Sequence, residues 1–269
     1  MLNQAFPIMK RFFYLFLAAM MVLAMSCKKD KPGDKIPDGA VDLGIVMTRE
    51  DGTTYKLYWA KSNLSETGLC ANPEDYGDYY AWGETEPYYE AGHGQDNPCD
   101  SWRNGKTGYD WSSYKFRTSG DSWNNVKFSK YNTKESYGPV DNITELQRGE
   151  EEGETKDDAA RAKLGGKWRM PTDAEWAALL TLKWGWSTTN GINGRLVIAS
   201  NGNSIFLPAA GDRFSAYFHY AGSDGDYWSS SLTTDDPYGA WRVSFDSGNV
   251  NRRLCSRYIG LSIRPVWEE

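Results

Sequence analysis

The last part of the chain, residues 207–266, consists of short apolar or aromatic runs separated by Gly, Asn, Asp and Ser. Between Ala209 and Val266 it contains no Lys, Glu, Gln or Met, although Lys and Glu are frequent upstream. Such short runs between turn-forming residues favour strands and turns over helices. Aromatic side chains beside short polar ones give contact area at a low cost in conformational entropy, as in antibody combining sites. The segment is therefore predicted to form short strands that display a recognition surface.

The first 26 residues resemble a bacterial lipoprotein signal peptide, with Cys27 as the acylated residue. Lys10 and Arg11 precede an apolar run over residues 12–24, which is too short for a comfortable membrane-spanning helix. An ordinary cleaved signal peptide is the alternative. Residues 27–40 are polar and contain Pro and Gly, as expected of a flexible tether. We expect a lipid-anchored protein of the bacterial outer membrane that faces either the periplasm or the outside.

The charge of the chain argues against one class of partner. Removal of residues 1–26 takes away Lys10 and Arg11 and no acidic residue, so the formal net charge falls from −6 to −8. An acidic protein is poorly suited to bind nucleic acid. The expected partners are therefore a protein or glycan ligand, together with the membrane through the lipid anchor.

The remaining cysteines are odd in number if Cys27 carries lipid. A disulfide between Cys70 and Cys99 is the natural pairing to propose in an oxidising compartment, and Cys255 is then left as a free thiol. That thiol is either incidental or reactive, and the incidental interpretation is favoured.

Two helices carry clear end signals. Asp157 or Asp158 can cap a helix over residues 159–164, which Gly165 and Gly166 would end. Residues 172–175 match a capping box before a helical run that reaches Lys183.

Strand signals lie on both sides of these helices. Asn201-Gly202 is typical of a hairpin turn. The predicted strands are residues 55–59, 78–84, 195–198, 204–207, 227–230, 240–245 and 261–266.

One domain is expected over residues 41–269, because no linker, repeat or low-complexity tract divides it. It contains an insertion over about residues 87–137, in which Trp102, Trp111 and Trp123 stand among Gly, Ser, Asn and Asp. Long irregular segments of this kind are usually functional or disordered, and the aromatic anchors favour order.

Several motifs resemble the paralogous surface-protein domain named after the Fibrobacter succinogenes major paralogous family. The resemblance covers nearly the whole chain from Val41 onward. It implies a branch of the C-type lectin-like fold, related to the formylglycine-generating enzyme superfamily. The implied fold class is α+β, with two helices flanking a twisted antiparallel sheet and with long loops. The motifs are residues 73–87 (PEDYGDYYAWGETEP), 166–176 (GKWRMPTDAEW), 203–211 (NSIFLPAAG), 227–231 (YWSSS) and 264–266 (RPV).

The same resemblance implies a possible origin of the unusual C-terminal composition. Some lectin-like proteins of this kind are varied by diversity-generating retroelements, which mutate adenines in Asn-type codons. Those codons do not reach Lys, Glu, Gln or Met, the residue types missing after Ala209. A fixed composition of a Gly- and Ser-rich β region is the alternative.

No catalytic pattern is found in the sequence, so the chain is not expected to be an enzyme and no cofactor is expected. It has two histidines, His93 and His219, and no His-Glu-x-x-His, Gly-x-Ser-x-Gly, phosphate-loop or Cys-x-x-Cys motif. Formylglycine-generating enzymes use a cysteine pair, whereas Cys255 stands alone. No metal ligand is predicted, because Asp-Gly clusters such as those around Asp224, Asp226, Asp235 and Asp236 more often form turns than hold cations.

The predicted contact residues lie in the aromatic run 217–220 and in the strands that follow it. The run is too dense to be wholly core, and Arg and Tyr are frequent at interfaces. Trp228 is assigned to the core, Arg264 to a structural role, and Trp241, Val243 and Phe245 to the inward face of their strand. The predicted contact residues are Tyr217, Phe218, His219, Tyr220, Tyr238, Arg242, Asn251, Arg252, Arg253, Ser256 and Tyr258.

The sequence thus favours a lipid-anchored envelope protein, an adhesin in the broad sense, that binds a ligand through its C-terminal segment. One alternative is an envelope enzyme that uses the insertion as a cleft. Another is a fimbrial or structural subunit that uses the same loops for assembly.

Overall fold

Strands dominate the computed structural model, which describes residues 36–90 and 98–269. Of the described residues, 39% are in strands and 7% in helices. The helices are α1 (Ala159–Leu164) and α2 (Asp173–Leu179), with a 3-10 turn at Glu135–Tyr137. The strands are β1 (Ala40–Thr48), β2 (Thr54–Ala60), β3 (Leu64–Ser65), β4 (Gly68–Leu69), β5 (Arg117–Ser119), β6 (Lys127–Phe128), β7 (Trp168–Arg169), β8 (Lys183–Thr189), β9 (Ile192–Ile198), β10 (Ser204–Pro208), β11 (Asp212–Phe214), β12 (Tyr217–His219), β13 (Gly225–Leu232), β14 (Gly239–Phe245), β15 (Val250–Ser256) and β16 (Val266–Glu268).

The predicted α+β, C-type lectin-like architecture with two helices flanking one sheet is wrong. The described strands form several small antiparallel sheets, ordered β1-β2-β16-β7, β10-β9-β8, β13-β14-β15, β11-β12, β3-β4 and β5-β6. The helix α1 packs on β4 and β7, whereas α2 packs on β1, β13 and β14. Both short helices contact edge strands of the sheet β1-β2-β16-β7, but most strands lie in the other small sheets, so the fold is sheet-rich.

The predicted start of each helix and the predicted end of α1 are confirmed. The Asp158 side chain accepts a hydrogen bond from the backbone N–H of Arg161, and α1 stops at Gly165, whose φ is 66°. In α2, Thr172 and Glu175 form the predicted capping box. The second helix ends at Leu179, however, and Lys183 begins a strand instead of continuing the helical run.

Most predicted strands after α2 are present, and the Asn201-Gly202 hairpin joins β9 to β10. Two predictions are wrong. Residues 78–84 contain only an isolated bridge, between Tyr80 and Leu261. Residues 261–265 do not form a continuous strand, because their backbone groups bond to several different segments; the last strand begins at Val266.

The interior consists of two large aromatic and aliphatic clusters that share the strand β13. Tyr227 faces the cluster with Trp59 and Trp176, while its neighbour Trp228 faces the cluster with Trp82. The indole of Trp228 is fully buried and donates to the carbonyl of Tyr80 at 2.8 Å, so its core assignment is confirmed. Because successive residues of a strand point to opposite faces, β13 connects the two clusters.

Several buried arginines hold distant segments together. Arg169 binds the carboxylate of Glu175 through both terminal nitrogens, with one N–O distance of 2.7 Å. Arg264 donates to the Asn63 side chain and to the carbonyls of Ala60 and Phe206 at 2.7–3.0 Å. The structural role predicted for Arg264 is confirmed by these contacts.

The predicted disulfide between Cys70 and Cys99 is absent, because Cys70 is a free thiol. The two residues are tied to different parts of the fold. The Cys70 amide donates to Asn63, whereas the Cys99 amide donates to Ala216 in the loop between β11 and β12. Cys27, the signal peptide, His93 and most of the tether lie outside the described residues. In the part that is described, no helix has the length and apolarity to cross a bilayer.

Candidate functional site

The hairpin of β11 and β12 presents one polar and aromatic face to solvent. Its register pairs Asp212 with His219 and Phe214 with Tyr217, so all four side chains share this face. Phe214 is 44% exposed and Tyr217 is 51% exposed. The rings of Tyr217 and His219 lie almost parallel, with an interplanar angle of 10° and centroids 6.4 Å apart. We call these four residues the hairpin face.

The other side of the hairpin is anchored in the core. Arg213 is fully buried, and its guanidinium lies 4.2 Å from the ring centre of Phe218. The backbone of Arg213 exchanges two hydrogen bonds with Gly260 at 2.8 and 2.9 Å. This alternation explains why Phe218, although predicted as a contact residue, lies beneath the hairpin face.

The insertion supports the hairpin turn from outside. The backbones of Tyr109 and Ser215 exchange two hydrogen bonds at 2.9 Å, and the Cys99 amide donates to the carbonyl of Ala216 at 2.9 Å. Tyr109 is itself fully buried and stacks on Tyr88, with ring centres 4.5 Å apart. Part of the aromatic insertion therefore packs against the predicted recognition segment and holds its hairpin turn in place.

Two residues of this region have a left-handed backbone. Ser215, at the hairpin turn, has a φ of 53°, and Tyr220, just after β12, has a φ of 60°. A residue other than glycine pays a conformational cost of about 1 kcal/mol or more in this region, and such strain is concentrated at functional sites. Tyr220 is also 62% exposed, so burial of its own ring does not offset the cost.

The sheet β13-β14-β15 places a row of polar side chains beside the hairpin, which runs from the buried Asp226 to the exposed Arg253. Its register aligns Asp226 with Ser244 and Asn251, and Arg242 with Arg253, so these five side chains lie on one face. We call them the outer face. A parallel bridge between residues 211 and 225 ties the start of the hairpin to the start of β13.

Burial dominates the electrostatics where the two faces meet. Asp226 lies 2.8 Å from a terminal nitrogen of Arg242. Burial nevertheless raises the pKa of Asp226 to about 6, against the attraction of Arg242 and with support from Asp212 and Asp224. Burial also raises the pKa of Asp212, whose carboxylate lies 3.6 Å from the Nδ1 of His219. The site therefore combines two carboxyl groups whose pKa values are raised by burial with the donors of Arg242 and with exposed rings.

A third feature is a groove of about 480 Å³ at the far end of the same sheet. Trp123 is 61% exposed there and lies 6.1 Å from Tyr238 between ring centres. Tyr258 connects this region to the hairpin, because its ring lies 6.1 Å from that of Phe214.

The structure brings most of the predicted contact residues to these three features, and their role in binding stays a prediction. Tyr217 and His219 belong to the hairpin face, Arg242, Asn251 and Arg253 to the outer face, and Tyr238 and Ser256 to the groove. Tyr220 follows β12 directly, and Tyr258 lies between the hairpin and the groove. The other two residues lie elsewhere. Arg252 is on the opposite face of β15, where it binds Asp173 at 2.8 Å, and Phe218 is beneath the hairpin.

Sequence reasoning missed Asp212, Phe214 and Trp123 as surface residues. The alternation of residues 212–219 around a short turn could have indicated that Phe214 shares a face with Tyr217. Nothing in the sequence indicated Trp123, whose position depends on the fold of the insertion.

Comparison of the chain with models of protein families, with curated proteins and with solved structures finds no match. The resemblance based on the motifs stays a prediction. Among the described residues, no group of three or more His, Cys, Asp and Glu side chains is arranged to hold a metal ion.

Proposed function

We propose that this chain is a saccharide-binding protein, and that the hairpin face and the outer face together form its ligand site. The observation that carries the proposal is the placement of the exposed Phe214–Tyr217 ring pair beside the Asp212–His219 and Asp226–Arg242 pairs. Aromatic rings can pack on the apolar faces of sugar rings. Carboxylates and a guanidinium at the edge of the rings can accept from and donate to neighbouring hydroxyl groups.

The proposed ligand site is also preorganised, because its backbone is ordered before any ligand binds. The insertion fixes the hairpin turn, and the backbone of Tyr220 is held in a strained conformation. A surface that is already ordered loses less conformational entropy on binding. A lipid anchor at Cys27, as proposed from the sequence, would hold this site at the envelope.

The proposal is tested by affinity electrophoresis in gels that contain soluble polysaccharides, namely a neutral β-glucan, a xylan, a pectin and a mucin. We expect at least one to retard the protein, and titration calorimetry with its oligosaccharides to give a dissociation constant. Tyr217→Ala should weaken binding about tenfold, since loss of one stacking ring costs roughly 1–1.5 kcal/mol.

Two variants serve as controls. Tyr217→Phe keeps the ring and should retain most of the affinity, and Val46→Ala changes an exposed residue of β1. Failure of every polysaccharide to retard the protein, or equal affinities of wild type and Tyr217→Ala, would refute a saccharide site at the hairpin face.

A further inference from the structure

The groove at the end of the C-terminal sheet follows the edge of β15. Its lining includes the consecutive residues Leu254, Cys255 and Ser256. Because consecutive residues of a strand point to opposite faces, a groove that touches all three reaches the backbone at this end of the strand. The remaining lining comes from other segments, at Trp123, Tyr238 and Ile259.

The strand that borders this groove has one unpaired side. It is the last strand in the order β13-β14-β15, and within the described residues no other strand or bridge pairs with its outer edge. Every second residue of such a strand directs its backbone N–H and C=O outward. An edge of this kind can accept an extended chain as an additional strand.

Trp123 is held at the groove by a well-ordered turn between β5 and β6. The Asn125 side-chain oxygen accepts from the amides of Asp121 and Ser122 at 2.9 Å. Gly120 has a φ of 78°, and a Cβ atom there would lie 2.3 Å from the carbonyl oxygen of Asn125, so the turn is tightly packed. An exposed tryptophan on a fixed turn is a typical anchor for an apolar side chain of a partner.

The charge at this edge is positive. Arg252 and Arg253 are both exposed, and they point to opposite faces of β15. Arg252 is bound to Asp173, whereas Arg253 forms no ion pair among the described residues. Charged side chains on an edge strand also discourage pairing between copies, but that role does not require an exposed tryptophan at the same groove.

We propose that the free edge of β15 binds an extended acidic peptide by strand addition. Backbone hydrogen bonds to the edge would provide affinity, an apolar side chain of the peptide would pack against Trp123 and Tyr238, and an Asp or Glu would pair with Arg253. This site shares Arg253 with the outer face, but Trp123, Tyr238 and the free edge of β15 lie outside the proposed saccharide site, so Trp123→Ala tests the proposal independently of saccharide binding.

The test is selection of a phage-displayed library of random twelve-residue peptides on the intact protein. We expect enrichment of sequences in which apolar or aromatic residues alternate with Asp or Glu. A synthetic peptide of the dominant sequence should bind at least tenfold more weakly to Trp123→Ala and to Arg253→Glu than to wild type. Its affinity should fall as NaCl is raised from 0.05 to 0.5 M.

Val46→Ala, which changes an exposed residue far along the sequence in β1, and Tyr217→Ala, in the saccharide site, should leave peptide affinity unchanged. Circular dichroism should show that Trp123→Ala is folded, since the replaced ring is largely exposed. The proposal is overturned if no peptide is enriched. It is also overturned if the enriched peptides bind Trp123→Ala and Arg253→Glu as tightly as they bind the wild type. Self-association of the protein that Trp123→Ala abolishes would also overturn it, because the occupant would then be a second copy of the chain.

Discussion

Asp226 lies 2.8 Å from Arg242, yet its pKa is raised to about 6. Burial opposes ionisation of this carboxyl group, and the nearby carboxylates of Asp212 and Asp224 add to the effect. A pKa of 3.8 is expected when the chain is unfolded, so the folded state binds this proton more tightly. The stability contributed by Asp226 is therefore fully present below about pH 4 and is lost as the pH rises through 6.

Asp226→Asn should remove this pH dependence. The free energy of unfolding of the wild type, relative to that of the variant, should fall by roughly 2.5 kcal/mol between pH 4 and pH 7, at about 1.4 kcal/mol per pKa unit. Urea unfolding at several pH values measures this difference. A difference that stays constant over this pH range would contradict the assignment.

Single residues of the C-terminal segment were only partly predictable from the sequence. The expectation that some rings of residues 217–220 face solvent is confirmed by Tyr217 and Tyr220. Arg253 and Arg257 look equivalent in sequence, but Arg253 is exposed and Arg257 is fully buried. Which arginine turns inward depends on aromatic partners such as Phe128, whose ring centre is 3.7 Å from the Arg257 guanidinium and which lies far away in the chain.

At the scale of elements, local chemistry predicted helix ends well and strand positions less well. The capping box at Thr172 and the stop at Gly165 depend on neighbouring residues, so they could be read from the sequence. The strand β15 was missed because its Asn and Arg residues carry little apolar alternation. It becomes a strand through pairing with β14, which is a tertiary contact.

The hairpin depends on a glycine at its base. Gly211 has a φ of 64°, and a Cβ atom there would lie 2.0 Å from the carbonyl oxygen of His219. Gly211→Ala should therefore destabilise the protein by about 2–4 kcal/mol through backbone strain and a steric clash, and should weaken ligand binding.

Gly222→Ala is the matched control for this prediction. Gly222 has a φ of 82°, but no atom lies within 4 Å of the added Cβ, so only strain of about 1 kcal/mol is expected. Thermal unfolding of both variants separates the two effects. Equal losses of stability in Gly211→Ala and Gly222→Ala would mean that the close approach at Gly211 does not contribute to the destabilisation.

At the scale of the whole molecule, the topology depends on contacts between distant parts of the sequence. The strand β16 pairs with both β2 and β7, and β13 lies between the two core clusters. Motifs of ten or fifteen residues do not specify such pairings, and this explains why correct local helices were placed in a wrong architecture. The sequence likewise did not predict that the insertion contacts the hairpin turn.

The shared strand predicts that both clusters unfold together. Loss of Trp228 from one cluster would displace Tyr227 in the other, so the chain from residue 41 to 269 should unfold in one cooperative step. Tryptophan fluorescence and far-ultraviolet circular dichroism should give coincident urea transitions. Two separated transitions would instead indicate independent units and would contradict the single domain expected from the sequence.

The division of charged residues between the interior and the surface affects how the molecule attracts a charged ligand. Arg257 and Arg264 are fully buried and form no ion pair with the described carboxylates, although burial lowers the pKa of Arg264 only to about 10. Among the described residues five arginines and five carboxylates are buried, so their formal charges cancel and the formal net charge of −6 belongs to the rest of the chain. Against this background, the exposed Arg252 and Arg253 form a basic edge that gives the molecule a directional dipole. An approaching anionic ligand would be oriented toward β15 before it makes any contact.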